Sequence, residues 1–188
     1  MKRSPMEMIE KISACRRVYT GRAVNFSVDT IVLPDGKKAT REFMEHPGAV
    51  AVIPFIDEKH IVLVRQYRYP VKEVTWELPA GKIDPGEKIQ VCVKRELEEE
   101  TGYVAARIRK LVSFWPTPAF SDEVLHIFAA HGLTERNKCP DEDEFIEHKI
   151  VSLTQALSWI KTGKIRDSKT IIGLLYWTCP SFVRKGNI

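Results

Sequence analysis

The sequence has no apolar stretch long enough to cross a bilayer. Its longest, Ala49 to Ile56, is eight residues and includes Pro54. The N-terminus lacks the apolar run of a secretion signal, since Met1 to Ser13 mixes Lys, Arg, Glu and Ser throughout. Cysteine is sparse and scattered at 15, 92, 139 and 179, with no Cys-x-x-Cys pair. That excludes a disulfide framework and a zinc ribbon, and suits free thiols in a reducing compartment. The five histidines are equally dispersed; His126 and His131 read as structural or exposed residues. The net charge of +4 is modest and the basic residues form no continuous stripe, which argues against nucleic-acid binding. A cytoplasmic protein with neither membrane nor nucleic acid as partner is expected.

What is present is a soluble globular composition, 44% hydrophobic and 29% charged, in 188 residues, enough for one well-filled core. Two compact acidic groups stand out in this net basic chain, at 96–100 and 141–147. Clustered carboxylates repel, so solvent, Arg or Lys partners, or divalent cations must compensate them.

Residues 1–45 read as a small antiparallel β unit. Val18-Tyr19 and Val28–Leu33 are strand-like, Pro34-Asp35-Gly36 is a turn, and Ala39–Phe43 can return as partner. So small a unit has little core of its own and should pack on the rest of the protomer or on a second one. From 46 to 188 the pattern changes. Ala49–Ile56 reads as a buried strand, Asp57-Glu58-Lys59 as a turn, and His60–Arg68 as the next strand. Trp76–Leu78 is a short strand broken by Pro79-Ala80-Gly81. A helix is expected over Glu87–Thr101, closed by Gly102. Strands should follow at Ile108–Phe114, Val124–Ala130 and Phe145–Val151, then helices at Leu153–Lys161 and Ser168–Trp177. The expected fold class is α/β (α+β), helices sandwiching a mixed sheet.

On the helix, Ile89, Val93 and Leu97 form an apolar stripe bordered by Cys92. Glu96 and Glu100 fall beside Ile89 and Val93, where a plain amphipathic helix would place apolar residues. Carboxylates at a core edge are costly unless paired or metal-bound. Three Glu within one turn, with loop carbonyls around Ala80 nearby, suit Mg²⁺, which takes a few carboxylates plus waters and substrate phosphates. The matching substrate is a phosphate anhydride.

Gly81, Glu87, Arg95-Glu96-Leu97, Glu99-Glu100 and Gly102-Tyr103, at these spacings, resemble the complete Nudix box. The resemblance implies a Nudix α/β/α sandwich and a hydrolase of nucleoside diphosphates linked to another moiety, using two or three Mg²⁺ ions with Mn²⁺ as substitute. It makes Glu96 and Glu100 the principal metal ligands and Glu99 a further ligand or an organiser of metal-bound water. Glu87 would act through Arg95, and the Ala80 carbonyl would coordinate metal. Gly81 and Gly102 would serve loop geometry and helix termination.

From Gly21 onward the chain also resembles the ADP-ribose pyrophosphatase subgroup, in Trp76–Ile83, in Pro118, sixteen residues after Gly102, and in Gly163–Thr170. That resemblance implies Glu142 as general base and Glu144 as a metal ligand, with Asp141 and Asp143 as neighbouring alternatives. It implies substrate contacts from Arg41, Glu42, Arg68, Phe26, Pro118 and Glu123, Arg68 stacking on the base. It further implies a homodimer whose residues 1–45 cross to the partner subunit. The products would be AMP and ribose 5-phosphate; another ADP- or GDP-linked hexose is the alternative substrate. A domain that senses a nucleotide without cleaving it would have a damaged box, whereas Arg95, Glu96, Glu99 and Glu100 are all present.

Overall fold

Ala49–Pro54 (β5) is buried at every position, because it lies inside a sheet with both faces covered. The computed structural model describes residues 8–136 and 145–179. In chain order its elements begin with the strands Lys11–Ala14 (β1), Arg17–Thr20 (β2), Asn25–Val32 (β3) and Lys38–Glu45 (β4). After β5 come His60–Arg68 (β6), Glu73–Glu77 (β7), Ala80–Lys82 (β8) and the helix Ile89–Thr101 (α1). The remainder is Tyr103–Phe114 (β9), Leu125–Glu135 (β10), Glu147–Ser152 (β11), Leu153–Lys161 (α2) and Ser168–Thr178 (α3). Among the described residues no helix is long and apolar enough to cross a membrane. Cys15, Cys92 and Cys179 are free thiols.

The chain divides into two compact units. The first holds residues up to His46 together with Thr117–Glu123. In it β3 is central, paired with β4 on one side and with β1 and β2 in succession on the other, all antiparallel. The turn Pro34-Asp35-Gly36 closes β3 to β4 with Gly36 at φ 85°, as the sequence suggests. Every residue of β1 and β2 is exposed. The segment 117–123 joins this unit through Met44, whose N–H donates to the Phe120 carbonyl at 2.8 Å.

The second unit is the expected sandwich. One sheet runs β8-β5-β10-β9, with β5 and β10 parallel, and a second runs β11-β6-β7. Strand alternation assigns the two faces. Ala51, Ile53, Ile127 and Ala129 pack toward α2 and α3, against Ala156, Ile165 and Leu174. Val50, Val52, Phe128 and Ala130 pack on Cys92, Val93 and Leu97 of α1.

Several boundaries differ from the sequence expectation. Helix α1 begins at Ile89 rather than Glu87, because Glu87 is tied into the preceding turn. Its N–H donates to the Asp84 carbonyl at 2.9 Å, and its carboxylate accepts from the Asp84 N–H at 3.2 Å. Strand β9 starts at Tyr103 because β10 continues to Glu135 and keeps pairing with it. The strand expected at Trp76–Leu78 is β7, which ends at Glu77, and β8 resumes at Ala80 to pair with β5.

Candidate active site

One edge of α1 meets Pro79 and the short strand β8, and the acids of the helix converge there. Glu96 is 9% and Glu100 3% exposed, so both carboxylates sit at the core edge where the helical wheel places them. Glu100 Oε2 accepts the Ala80 N–H at 3.0 Å. Glu96 lies so close to Gly81 that a Cβ there would run into its carboxylate. Gly81 is therefore required by this approach. We expect Gly81→Ala to displace the Glu96 carboxylate and lower kcat on the order of 10²-fold, the cost of a misplacement of about 1 Å. Steady-state kinetics checks this; an unchanged kcat would remove Glu96 from the chemistry.

Arg95 organises the acids. Its Nε and Nη2 donate to the two oxygens of Glu87, both at 3.0 Å. Its Nη1 donates to Glu96 at 2.8 Å and to Glu99 at 2.9 Å. These bonds hold the Glu87 carboxyl at a pKa of about 2, against a smaller opposing effect of burial. The guanidinium is raised in turn, first by its bonds to Glu87. Cys92, buried beneath, has its thiol pushed up to about 12 by burial and then by Glu87, which makes it unreactive at neutral pH. The helix closes on Gly102 in the left-handed conformation, φ 76°, with its N–H bonded to the Glu98 carbonyl at 2.8 Å.

Among the described residues no three carboxylates, imidazoles or thiols form a ready-made metal cage. The donor set still fits a hard divalent cation. Glu87, Glu96 and Glu99 share the single guanidinium of Arg95, leaving an excess of negative charge on this helix edge, and all the donors are oxygens. Mg²⁺ needs no closed protein cage, since waters and substrate phosphates complete its shell.

The structure brings Arg68 to this side of the unit. Its guanidinium senses the Glu100 charge, though its strongest partner is Glu77, which it grips with two bonds of 2.8 and 2.7 Å. Glu77 was not singled out by sequence reasoning. It is 1% exposed and also accepts from Thr75 and Lys169. Burial alone would raise its pKa, but Arg68 and Lys169 outweigh that and hold it at about 2. The missed signal was an acid between Trp76 and Leu78 on a short apolar strand.

Phe26, Arg41, Glu42, Pro118 and Glu123 lie in the first unit. Phe26 and Glu42 share one face of the β3–β4 pair, while Arg41, opposite Asp29, faces the other side and bonds to Glu10. Pro118 begins a turn in which the Phe120 and Ser121 N–H groups donate to the Thr117 carbonyl. Glu123 lies 3.9 Å from His46 and is tethered by its N–H to Ser121. Glu142 and Glu144, with Asp141 and Asp143, fall outside the described residues.

The sequence matches the Nudix domain over residues 45–172, more than half of the chain. The chain belongs to the Nudix family. It is a Nudix-type hydrolase of pyrophosphate bonds in nucleotides or nucleotide sugars. It is 43% identical over 169 residues to the methanol dehydrogenase activator of Bacillus methanolicus, covering 89% of this chain and 91% of that one. It is 40% identical over 169 residues, with the same coverage, to the ADP-ribose pyrophosphatase of Bacillus subtilis strain 168. A solved structure described as an ADP compounds hydrolase superposes with a TM-score of 0.77, covering 88% of this chain and 90% of that one. At 22% identity, that likeness shows the Nudix fold alone.

Proposed function

We propose that the chain hydrolyses ADP-ribose to AMP and ribose 5-phosphate with Mg²⁺, or Mn²⁺ in its place. The observation that carries this reading is the convergence of buried Glu96 and Glu100 on Ala80 and Gly81 of β8. The 40% identity to a protein named for that activity supports the substrate. Glu96, Glu99, Glu100 and Glu144, with the Ala80 carbonyl, would hold two or three cations. Bound there, the cations supply neutralisation of the phosphate oxygens and a lowered pKa for the attacking water.

The chain's own groups do the rest. Arg95 keeps Glu96 and Glu99 oriented and holds Glu87 ionised. Glu142 takes the proton of the water whose oxygen bonds to phosphorus. The bridging P–O bond breaks, and its electron pair leaves with the departing phosphate. Arg68 offers charge to the bound nucleotide. By resemblance Arg41 and Glu42 are assigned to the pyrophosphate and adenine, and Phe26, Pro118 and Glu123 to the adenine and ribose ends. The fully exposed β1 and β2 support a homodimer in which residues 1–45 reach a second protomer. Sedimentation at micromolar concentration should report the dimer, and a fully active monomer would refute it. The scattered free thiols support a cytoplasmic setting.

A substrate panel with Mg²⁺ tests the reading. ADP-ribose should exceed ADP-glucose, GDP-mannose, NADH and diadenosine polyphosphates in kcat/KM. If another compound exceeds it by about tenfold, equivalent to roughly 1.4 kcal/mol of transition-state binding, the substrate assignment is wrong while the reaction class stands.

A further inference from the structure

Arg68 is held by an ion network that the Nudix box does not include. Glu77, 1% exposed, takes both Arg68 Nε and Nη2, and also accepts from the ammonium of Lys169, itself only 8% exposed. Lys169 donates at 2.9 Å to Asp167, the N-cap of α3. Asp167 also takes the Thr170 N–H at 2.9 Å and its hydroxyl at 2.6 Å. The Thr170 hydroxyl oxygen accepts the Leu78 N–H at 2.8 Å. The start of α3 is thereby bonded to both residues that precede Pro79, and Ala80 in turn donates to Glu100.

Two features show what this network does. First, it is charge-balanced: two cations and two carboxylates, joined by bonds that fix every member. Second, Nε and Nη2 of Arg68 are committed, whereas Nη1 has no hydrogen bond among the described residues, and the side chain is 42% exposed. The two-point grip of Glu77 fixes the orientation of the guanidinium, because a planar fork bound at two nitrogens cannot rotate freely.

We propose that Glu77 and Lys169 are positioning residues that fix Arg68 and present its Nη1 to the phosphate of a bound nucleotide. The inference rests on the assignment of Arg68 to the substrate. Lys169, anchored through Asp167, fixes the Glu77 carboxylate, and Glu77 fixes Arg68. The network contributes to affinity and adds little to the chemical step.

The test is a double-mutant cycle on the Mg²⁺-loaded full chain, read by calorimetric binding of α,β-methylene-ADP-ribose and by kinetics with ADP-ribose. Glu77→Gln and Lys169→Met should each weaken binding about tenfold, the scale of one charge-assisted hydrogen bond, and raise KM with kcat nearly unchanged. In an Arg68→Ala background the same substitutions should change binding by less than about twofold. Equal losses in both backgrounds, or normal affinity in the single variants, would overturn the positioning role. Normal affinity in Arg68→Ala alone would instead overturn the assignment of Arg68 to the substrate. If Glu77→Gln does not fold, the combined Glu77→Gln and Lys169→Met variant keeps Arg68 balanced by Asp167 and gives the same comparison.

Discussion

Glu100→Gln is expected to lower kcat by about 10²–10³-fold, the scale on which a lost electrostatic contact to the reacting centre is felt. Its Tm without Mg²⁺ should equal or exceed that of the unaltered chain. Gln keeps an oxygen for the Ala80 N–H, and one of four neighbouring carboxylates loses its charge. A site whose acids repel before a ligand arrives gives up stability for function, so relieving the repulsion costs the fold nothing. Mg²⁺ should raise the Tm of the unaltered chain, because a ligand that binds only the folded state stabilises it, and should do so far less for the variant. Kinetics beside thermal melts with and without Mg²⁺ checks both halves. Near-normal turnover would take Glu100 out of the metal site.

Arg95→Met should affect the fold as strongly as the activity. It removes the common partner of Glu87, Glu96 and Glu99 and leaves Glu96 buried among like charges. Breaking a buried pair costs about 3–5 kcal/mol. Since the Arg95 side chain is 29% exposed, we expect about 2–4 kcal/mol and a Tm lower by roughly 5–15 °C. The pH dependence identifies the cause. Glu87 is held at about 2 in the folded chain, below its ordinary carboxylate value. Its contribution is therefore complete above the unfolded value of about 4.3 and is lost as pH falls toward 2. The stability gap between the two proteins should be widest at neutral pH and narrow across that acid window. Denaturant melts at pH 7 and pH 3 measure it. A gap that does not narrow would assign the loss to packing rather than to Glu87.

The acidic helix was legible in the sequence because its signals are local. The Ile89–Val93–Leu97 stripe, the Gly102 stop and the placement of Glu96 and Glu100 beside apolar positions all follow from a period of 3.6 residues. The buried β5 was legible for a similar reason, since a strand covered on both faces is apolar throughout. The start of α1 was misjudged because Glu87 is a good helix former whose carboxylate is taken by Asp84 and Arg95 instead. Strand β1 escaped notice because it is only four residues long and exposed throughout; its pairing with β3 defines it. The Glu77 network was out of reach of pattern reading altogether. Its members come from β6, β7 and α3, with Lys169 separated from Glu77 by 92 residues, and only the packed fold brings them together. For Arg68 the sequence suggested a role but could not reveal that a buried carboxylate already holds two of its nitrogens.

The most direct test of the proposed metal platform on α1 is product analysis of ADP-ribose incubated with the chain in H₂¹⁸O, with Mg²⁺ and again with a chelator. The account predicts AMP and ribose 5-phosphate with one ¹⁸O in a product phosphate, and no reaction once the cation is removed. Undiminished turnover in chelator, or cleavage elsewhere than at the pyrophosphate bond, would contradict it.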